Sequence, residues 1–123
     1  MRVKTNELTG AALDWAVAKC EGFTDYDHAT ETMLPPRKEY GRVNMDEYSY
    51  STDWAQGGPI IEREGINLDN YAKNPKWSAW TPAPDRESGE AQAYGPTPLI
   101  AAMRCYVASK LGDEVEIPEG LVR

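Results

Sequence analysis

The sequence predicts an α+β fold in which two helices pack on a small, mostly antiparallel sheet. Residues 6–21 and 98–111 carry apolar side chains at helical spacing, so each segment is predicted to be a helix. Short stretches between them alternate polar with apolar or aromatic side chains, which is typical of half-buried strands. Because strands and helices do not alternate along the chain, this arrangement is favoured over a doubly wound parallel sheet.

Both predicted helices have clear signals at their ends. The first follows a short predicted strand at residues 1–4 and stops before Gly22, a residue type that commonly closes helices. The second has Thr97 at its capping position and Pro98 at its first position, where proline is favoured. Gly112 marks its end.

The rest of the chain is predicted to hold short strands and two irregular segments. The predicted strands lie at residues 42–45, 47–51, 66–68, 77–80 and 114–117. Residues 23–46 contain few large apolar side chains and are predicted to be an irregular or mobile excursion, which in a compact domain is often functional. Residues 85–93 are predicted to be a charged loop.

A bend is predicted near the middle of the chain. Thr52 or Asp53 can cap a short turn at Trp54. Gly57-Gly58 then frees the backbone, and Pro59 is predicted to begin a new helical turn.

Length and charge limit the possible functions. The chain has 123 residues, which fits one domain spanning residues 1–123, and a net charge of −7. Duplex nucleic acid binding requires a basic surface that this composition does not supply, whereas a few local cations suffice for a small anion. No apolar run is long enough to span a membrane, and residues 1–4 are not followed by the apolar segment of a signal peptide. A membrane partner is therefore not expected.

Few residues offer redox, metal or catalytic chemistry. Cys20 and Cys105 lie among small apolar residues and are predicted to be buried free thiols rather than a disulfide. His28 is the only histidine, so its acidic neighbours are predicted to be solvated rather than to hold a metal. Those neighbours are Asp25, Asp27 and Glu31. Without a nucleophile elbow, a phosphate loop or a dinucleotide motif, no cofactor and no enzymatic activity are expected.

Three separate segments resemble one known family. They are residues 8–18 (LTGAALDWAVA), 51–62 (STDWAQGGPIIE) and 97–108 (TPLIAAMRCYVA). Together they resemble the NinX-like small proteins of tailed bacteriophages, a family of unknown function. The resemblance does not extend well to residues 23–46 or 68–92. It implies a phage accessory protein made in the cytoplasm of the infected bacterial host, and it supplies no catalytic residues.

The predicted bend is also the first candidate ligand site. The exposed amides of Gly57 and Gly58, beside a helix N-terminus, would favour an anion. Trp54 would stack on a base, and Arg63 would reach a phosphate. Asp53 completes this set as the cap. The alternative interpretation is a tight turn in which Trp54 anchors the core.

Three further residues join the candidate site. Trp77 and Trp80 have opposite parity in their predicted strand, so they are expected to face opposite sides of the sheet. One is expected in the core and the other at a binding site or interface, where tryptophan is common. Arg104 lies close to the apolar face of the second helix, where it can extend to solvent, pair with a carboxylate or point into a pocket.

The predicted function is a binding protein that sequesters a small, anionic, nucleotide-derived ligand, possible examples being host defence signals. A homo-oligomer is expected, because a neighbouring subunit helps a small chain to enclose a polar ligand. Two alternatives remain open at this point. One is a protein-interaction module that inhibits a host protein, and the other is a small hydrolase that acts on signalling nucleotides.

Overall fold

The computed structural model describes residues 1–70 and 77–121, and its fold is α+β. Three helices and eight strands lie in these two ranges, and all the strand pairings are antiparallel. The helices are α1 (Gly10–Cys20), α2 (Trp54–Glu64) and α3 (Pro98–Leu111). The strands are β1 (Arg2–Lys4), β2 (Thr24–Asp27), β3 (Thr32–Leu34), β4 (Val43–Asn44), β5 (Asn67–Asn70), β6 (Trp77–Pro82), β7 (Glu90–Gly95) and β8 (Glu114–Glu116).

Helix α3 lies at the centre of the fold. On one side it packs across a sheet with the strand order β5-β6-β7. Ala79, Ala91 and Ala93 share one face of that sheet and are at most 1% exposed, and such small side chains allow a helix to approach closely. On its other side α3 meets α1 and α2. Residues 101–108 are all buried, so α3 is covered all round rather than along a single apolar face.

The predicted fold class is confirmed in outline and corrected in detail. There are three helices rather than two in the described residues, and three small sheets rather than one. Helix α1 packs on α3, so only one of the two predicted helices contacts the sheet extensively.

Strands β1 and β8 form a separate two-stranded ribbon in which Val3 lies opposite Val115. The ribbon continues into a 3₁₀ turn at Thr5–Glu7. The Thr5 amide donates to the carbonyl of Asp113 at 2.8 Å, and its hydroxyl donates to the carbonyl of Gly112 at 2.7 Å. These bonds attach the start of the chain to the end of α3.

Residues 23–46 are not an irregular excursion, because they contain the three-stranded sheet β2-β3-β4. Met33 in the middle strand is only 2% exposed, so this sheet is anchored in the core. The Arg42 guanidinium donates to the backbone carbonyl of Asp25 and, at 2.8 Å, to the hydroxyl of Thr32. The strands have two to four residues each, which is too short for the alternation that sequence analysis detects.

Helix α1 begins at Gly10 rather than at residue 6. Leu8, which was predicted to be helical, is extended, with ψ of 132°, and its side chain is 1% exposed. Its carbonyl accepts a hydrogen bond from Arg104 at 2.9 Å, and this tertiary contact takes the place of a helical bond.

Two other segments also differ from the prediction. Residues 47–51 do not form a strand, because the amides of Thr52 and Asp53 both bond to the carbonyl of Ser49 and close a turn. Residues 90–95 are strand β7 rather than part of a charged loop, and they pair with β6 along its full length.

Both cysteines are free thiols, as predicted. Cys105 is buried in α3, and Cys20 is half-buried at the end of α1. Burial raises the pKa of each thiol to about 12, so both stay protonated near neutral pH. In the two described ranges, no helix has the length and apolar character that crossing a bilayer requires.

Candidate functional site

The predicted glycine bend is the interior of a helix. Helix α2 starts at Trp54 rather than at Pro59, and Asp53 caps it by accepting a hydrogen bond from the Ala55 amide at 2.9 Å. The Gly57 amide donates to the carbonyl of Asp53 at 2.9 Å, and Gly57 is buried. The amides were therefore wrongly predicted to be exposed, since the helix itself uses them.

Gly57 marks a point where α2 closely approaches the rest of the core. A Cβ atom at this position would lie 2.6 Å from Leu99 Cδ1 of α3 and closer still to the carbonyl oxygen of Tyr50. Gly58 differs, because its Cβ would meet only the Trp54 ring, at the ordinary contact distance of 3.7 Å. The close packing at this point therefore explains the first glycine.

Trp54 does not anchor the core, because its side chain is 53% exposed. It stands on the surface of α2 beside Gly58. That position excludes the alternative in which Trp54 holds a tight turn together. Its indole remains accessible for stacking or docking.

Arg63 is engaged by neighbouring groups. Its guanidinium donates to the two carboxylate oxygens of Glu21 at 3.1 and 2.5 Å and to Glu64 at 2.8 Å. It also donates to the Tyr106 hydroxyl at 3.1 Å, and the hydrogen bonds to Glu21 and Glu64 raise the pKa of Arg63 above its usual value. By the helical rise, Arg63 lies about 13 Å along α2 from Trp54, so the two do not share a small site.

Replacing Glu21 with glutamine tests this network. Burial raises the pKa of Glu21, but hydrogen bonds from Arg63 and Tyr106 outweigh it and hold the pKa below 4.5. A carboxyl group whose pKa is lowered by folding stabilises the folded state at pH values above its unfolded-state pKa. This stabilisation is lost as the pH falls through the folded-state pKa. We expect Glu21→Gln to lower the free energy of unfolding by about 1 kcal/mol at pH 7. Urea denaturation should show a much smaller difference at pH 3, and equal losses at both pH values would contradict the ion-pair account.

Trp77 and Trp80 lie on opposite faces of β6, as their parity predicted. Trp77 packs against the main hydrophobic core. Trp80 is on the other face, with Asn67 and Gln92 as its cross-strand neighbours. The sheet therefore separates the two indoles.

Arg104 is a structural residue of the core. It is 8% exposed, and it donates to the carbonyl of Leu8 at 2.9 Å and to the carbonyl of Tyr94 at 2.8 Å. Burial lowers the pKa of Arg104 below its usual value. The sequence suggested three orientations for the Arg104 side chain. None of them was the observed one, in which Arg104 joins the segment just before α1 to β7.

The eight predicted residues therefore do not come together in one site. Asp53, Trp54, Gly57 and Gly58 lie at the start of α2, Arg63 lies at its end, Trp77 and Trp80 lie on opposite sheet faces, and Arg104 lies in the core. Ligand binding by any of them stays a prediction.

A cleft of about 620 Å³ opens at the outer edge of β7. We call it the edge cleft. Its walls are β1 with the following 3₁₀ turn, β7, and the segment from the end of α3 to β8. Its polar lining includes Arg2, Lys4, Asn6, Gln92, Asp113 and Glu114.

Side chains cover both ends of the outer edge of β7, which pairs with β6 alone. At one end the Tyr94 amide donates to Asn6 Oδ1 at 2.9 Å, and Arg104 donates to the Tyr94 carbonyl. At the other end the Ser88 hydroxyl donates to the carbonyl of Glu90 at 2.9 Å. Such caps stop a sheet edge from pairing with another strand.

Gln92 is the open position between these caps. Tyr94 turns its amide and carbonyl away from β6, and residues two apart in an antiparallel strand point the same way. Gln92 therefore directs both its amide and its carbonyl to the outer edge, where β7 has no strand partner. Gln92 is exposed and lines the edge cleft.

Of the two cations that line the edge cleft, Arg2 has an ion pair and Lys4 has none in the described residues. Arg2 pairs with Glu114 at 3.4 Å, and Arg86 pairs with Asp113 at 2.8 Å. Lys4 forms no ion pair within residues 1–70 and 77–121. The carboxylates of the cleft are thus already neutralised, and Lys4 is free to meet an anion.

Sequence reasoning missed the edge cleft because its residues lie far apart in the chain. One usable signal was present in residues 90–95, where the small residues Ala91 and Ala93 alternate with Gln92 and Tyr94. That alternation is typical of a strand with one face packed against a helix.

The chain is similar to a solved structure and matches the model of one protein family. The solved structure of a phage protein from Bacillus cereus ATCC 14579 is similar, with a TM-score of 0.67 over 87% of this chain and 97% of that chain. The two sequences are 15% identical, so this likeness concerns the fold alone. No curated protein sequence matches the chain. The family model described as Bacteriophage P22, NinX matches residues 4–110, which confirms the resemblance seen in the sequence, and the chain therefore belongs to that family.

Proposed function

We propose that the protein is a phage binding protein that captures a small, nucleotide-like anion in the edge cleft without converting it. Lys4 carries the proposal, because its ammonium group lacks an ion-pair partner in the described residues although the net charge is −7. An unmatched cation in an acidic protein is available for an anionic ligand. The cleft volume of about 620 Å³ lies within the usual range for small-molecule sites.

The other polar groups of the cleft suit the rest of such a ligand. Arg2 lies two residues before Lys4, so both side chains project to the same side of β1. The Arg2 side chain is 64% exposed and its pair with Glu114 is long, so a phosphate can compete for it. Asn6 supplies a carboxamide group of the kind that hydrogen-bonds to bases and sugars.

In an infected cell, a protein that holds a nucleotide without converting it withdraws that nucleotide from its receptor. We therefore propose a host defence signal as the ligand. Capture of this kind requires no catalytic pair. The expected homo-oligomer can be measured by light scattering coupled to size-exclusion chromatography.

A capture experiment tests the function. The protein is incubated with nucleotides extracted from bacterial cells, the unbound fraction is removed, and heat denaturation releases what was held. An intact nucleotide in the released fraction supports sequestration. A converted nucleotide would support the hydrolase alternative instead, and an empty fraction would contradict nucleotide capture.

Lys4→Gln is the variant that tests the site. We expect it to weaken binding of the captured nucleotide by about tenfold to a hundredfold, as for loss of one charge-assisted hydrogen bond. Isothermal titration calorimetry measures the change. Lys110→Gln is the matched control, because it removes the same charge from an exposed side chain outside the cleft. Equal losses for the two variants would point to a general effect of net charge and against the edge cleft.

A second function, docking onto a host protein, is supported by Trp54. An indole that is 53% exposed on a helix is the type of anchor found at the centre of protein interfaces. In the capture experiment this function predicts no released nucleotide and a host protein that co-purifies through Trp54.

A further inference from the structure

We infer that the main chain of Gln92 reads the base of the ligand in the edge cleft, so that the ligand is a nucleotide and not merely a phosphate. This inference rests on the proposed function and names the part of the ligand that Lys4 and Arg2 do not hold. The observation behind it is the hydrogen-bond pattern along the outer edge of β7.

The outer edge of β7 is covered except at one residue. The amide and carbonyl of Tyr94 are bonded to Asn6 and Arg104. The carbonyl of Glu90 is bonded to Ser88. Gln92, halfway between them, directs its amide and carbonyl into the edge cleft without a partner strand.

A single open residue selects a small ligand over a peptide strand. An added β-strand needs several successive open positions on the edge, because each one contributes a pair of main-chain bonds. Here the caps at Tyr94 and Glu90 close the next position on either side. The main chain of Gln92 offers one donor, its amide, beside one acceptor, its carbonyl. It is therefore complementary to a ligand group that presents one acceptor beside one donor.

The edges of nucleobases have this pattern. Each base carries a ring nitrogen next to an exocyclic oxygen or amino group, which gives an adjacent donor and acceptor. A base paired with the main chain of Gln92 keeps its sugar and phosphate in the same cleft as Lys4 and Arg2. The base thus meets the hydrogen-bonding main chain of Gln92, and the phosphate meets the cations Lys4 and Arg2.

The first measurement compares probes on the unaltered protein. The probes are the four nucleoside 5′-monophosphates, ribose 5-phosphate and inorganic phosphate, each titrated by calorimetry. We expect at least one nucleotide to bind tenfold or more tightly than ribose 5-phosphate. If ribose 5-phosphate binds as tightly as every nucleotide, the base is not read, although anion capture in the cleft still holds. If no probe binds, both the inference and the proposed function fail.

The second measurement separates the main chain of Gln92 from its side chain. Gln92→Pro removes the outward amide, and proline is tolerated at an edge position whose amide does not bond to the next strand. We expect Gln92→Pro to reduce the affinity for the preferred nucleotide to that for ribose 5-phosphate. Gln92→Ala keeps the main chain and is expected to lose less than threefold. Equal loss in both variants would overturn the inference.

A third measurement applies even if the proline variant does not fold. The preferred nucleotide is replaced by its analogue methylated on the pairing edge of the base, for instance 1-methyladenosine 5′-monophosphate in place of adenosine 5′-monophosphate. We expect the methyl group to block the Gln92 main chain and to weaken binding by tenfold or more. Unchanged affinity would overturn the inference.

Discussion

Gly57→Ala is expected to lower the free energy of unfolding by about 3 kcal/mol, the upper part of the usual range for overpacking a core. The added methyl group would lie 2.6 Å from Leu99 Cδ1, and nearer still to the Tyr50 carbonyl oxygen. The carbonyl belongs to the backbone and cannot swing aside, so α2 has to move away from α3. Thermal or urea unfolding followed by circular dichroism measures the loss.

Gly58→Ala is the matched control for this prediction. It makes the same substitution in the next residue of the same helix, where the new methyl group would meet only the Trp54 ring at 3.7 Å. Alanine is favoured over glycine inside helices, so we expect a gain of about 0.5 kcal/mol. If the two variants had similar stability, α2 would not be packed on α3 through Gly57, and the glycine pair would again be open to a role in ligand binding.

Arg104→Met is expected to cost about 3 kcal/mol, because it leaves two carbonyl groups without their donors. Methionine keeps an unbranched stem that replaces the apolar part of the arginine side chain, and it has no charge and no donor, so the loss reports mainly the hydrogen bonds. The carbonyls are those of Leu8, just before α1, and of Tyr94 on β7. The unfolding free energy from urea titration at pH 7 gives the magnitude.

Arg37→Met serves as the control for the arginine. Its side chain is 70% exposed and its pair with Glu39 lies at the surface, so the expected change is within about 0.5 kcal/mol. A stable Arg104→Met protein with weakened ligand binding would show instead that Arg104 acts in a binding site.

Local signals in the sequence predicted those parts of the fold that local chemistry determines. Thr97 and Pro98 start α3 as predicted, since the Thr97 hydroxyl accepts a hydrogen bond from the Ile100 amide. Of the two predicted caps, Thr52 and Asp53, the structure uses Asp53, but Pro59 was taken for a helix start although it lies inside α2. Proline cannot donate to the carbonyl four residues earlier, at Ala55, and because Ala55 is exposed, water can take the place of that donor.

The candidate site depended on contacts that local patterns do not carry. Gly57-Gly58 has the composition of a flexible loop, and only the approach of Leu99 and Tyr50 explains a glycine there. Nothing in the sequence around Arg63 indicates that it pairs with Glu21, which lies 42 residues earlier. The opposite faces of Trp77 and Trp80 were predictable, because the two-residue period of a strand is a local property.

The pairing of β1 with β8 has a consequence for how the edge cleft forms. Arg2 and Glu114, which meet across this ribbon, are 112 residues apart in the sequence. Closing so large a loop adds little to the free-energy cost of folding, since each doubling of loop length costs about 0.6 kcal/mol. Contacts between residues far apart in the sequence do, however, slow folding. The wall that carries Lys4 is therefore expected to assemble last, after α3 has docked on its sheet. A folding intermediate without that wall would have a formed helical core and an incomplete edge cleft.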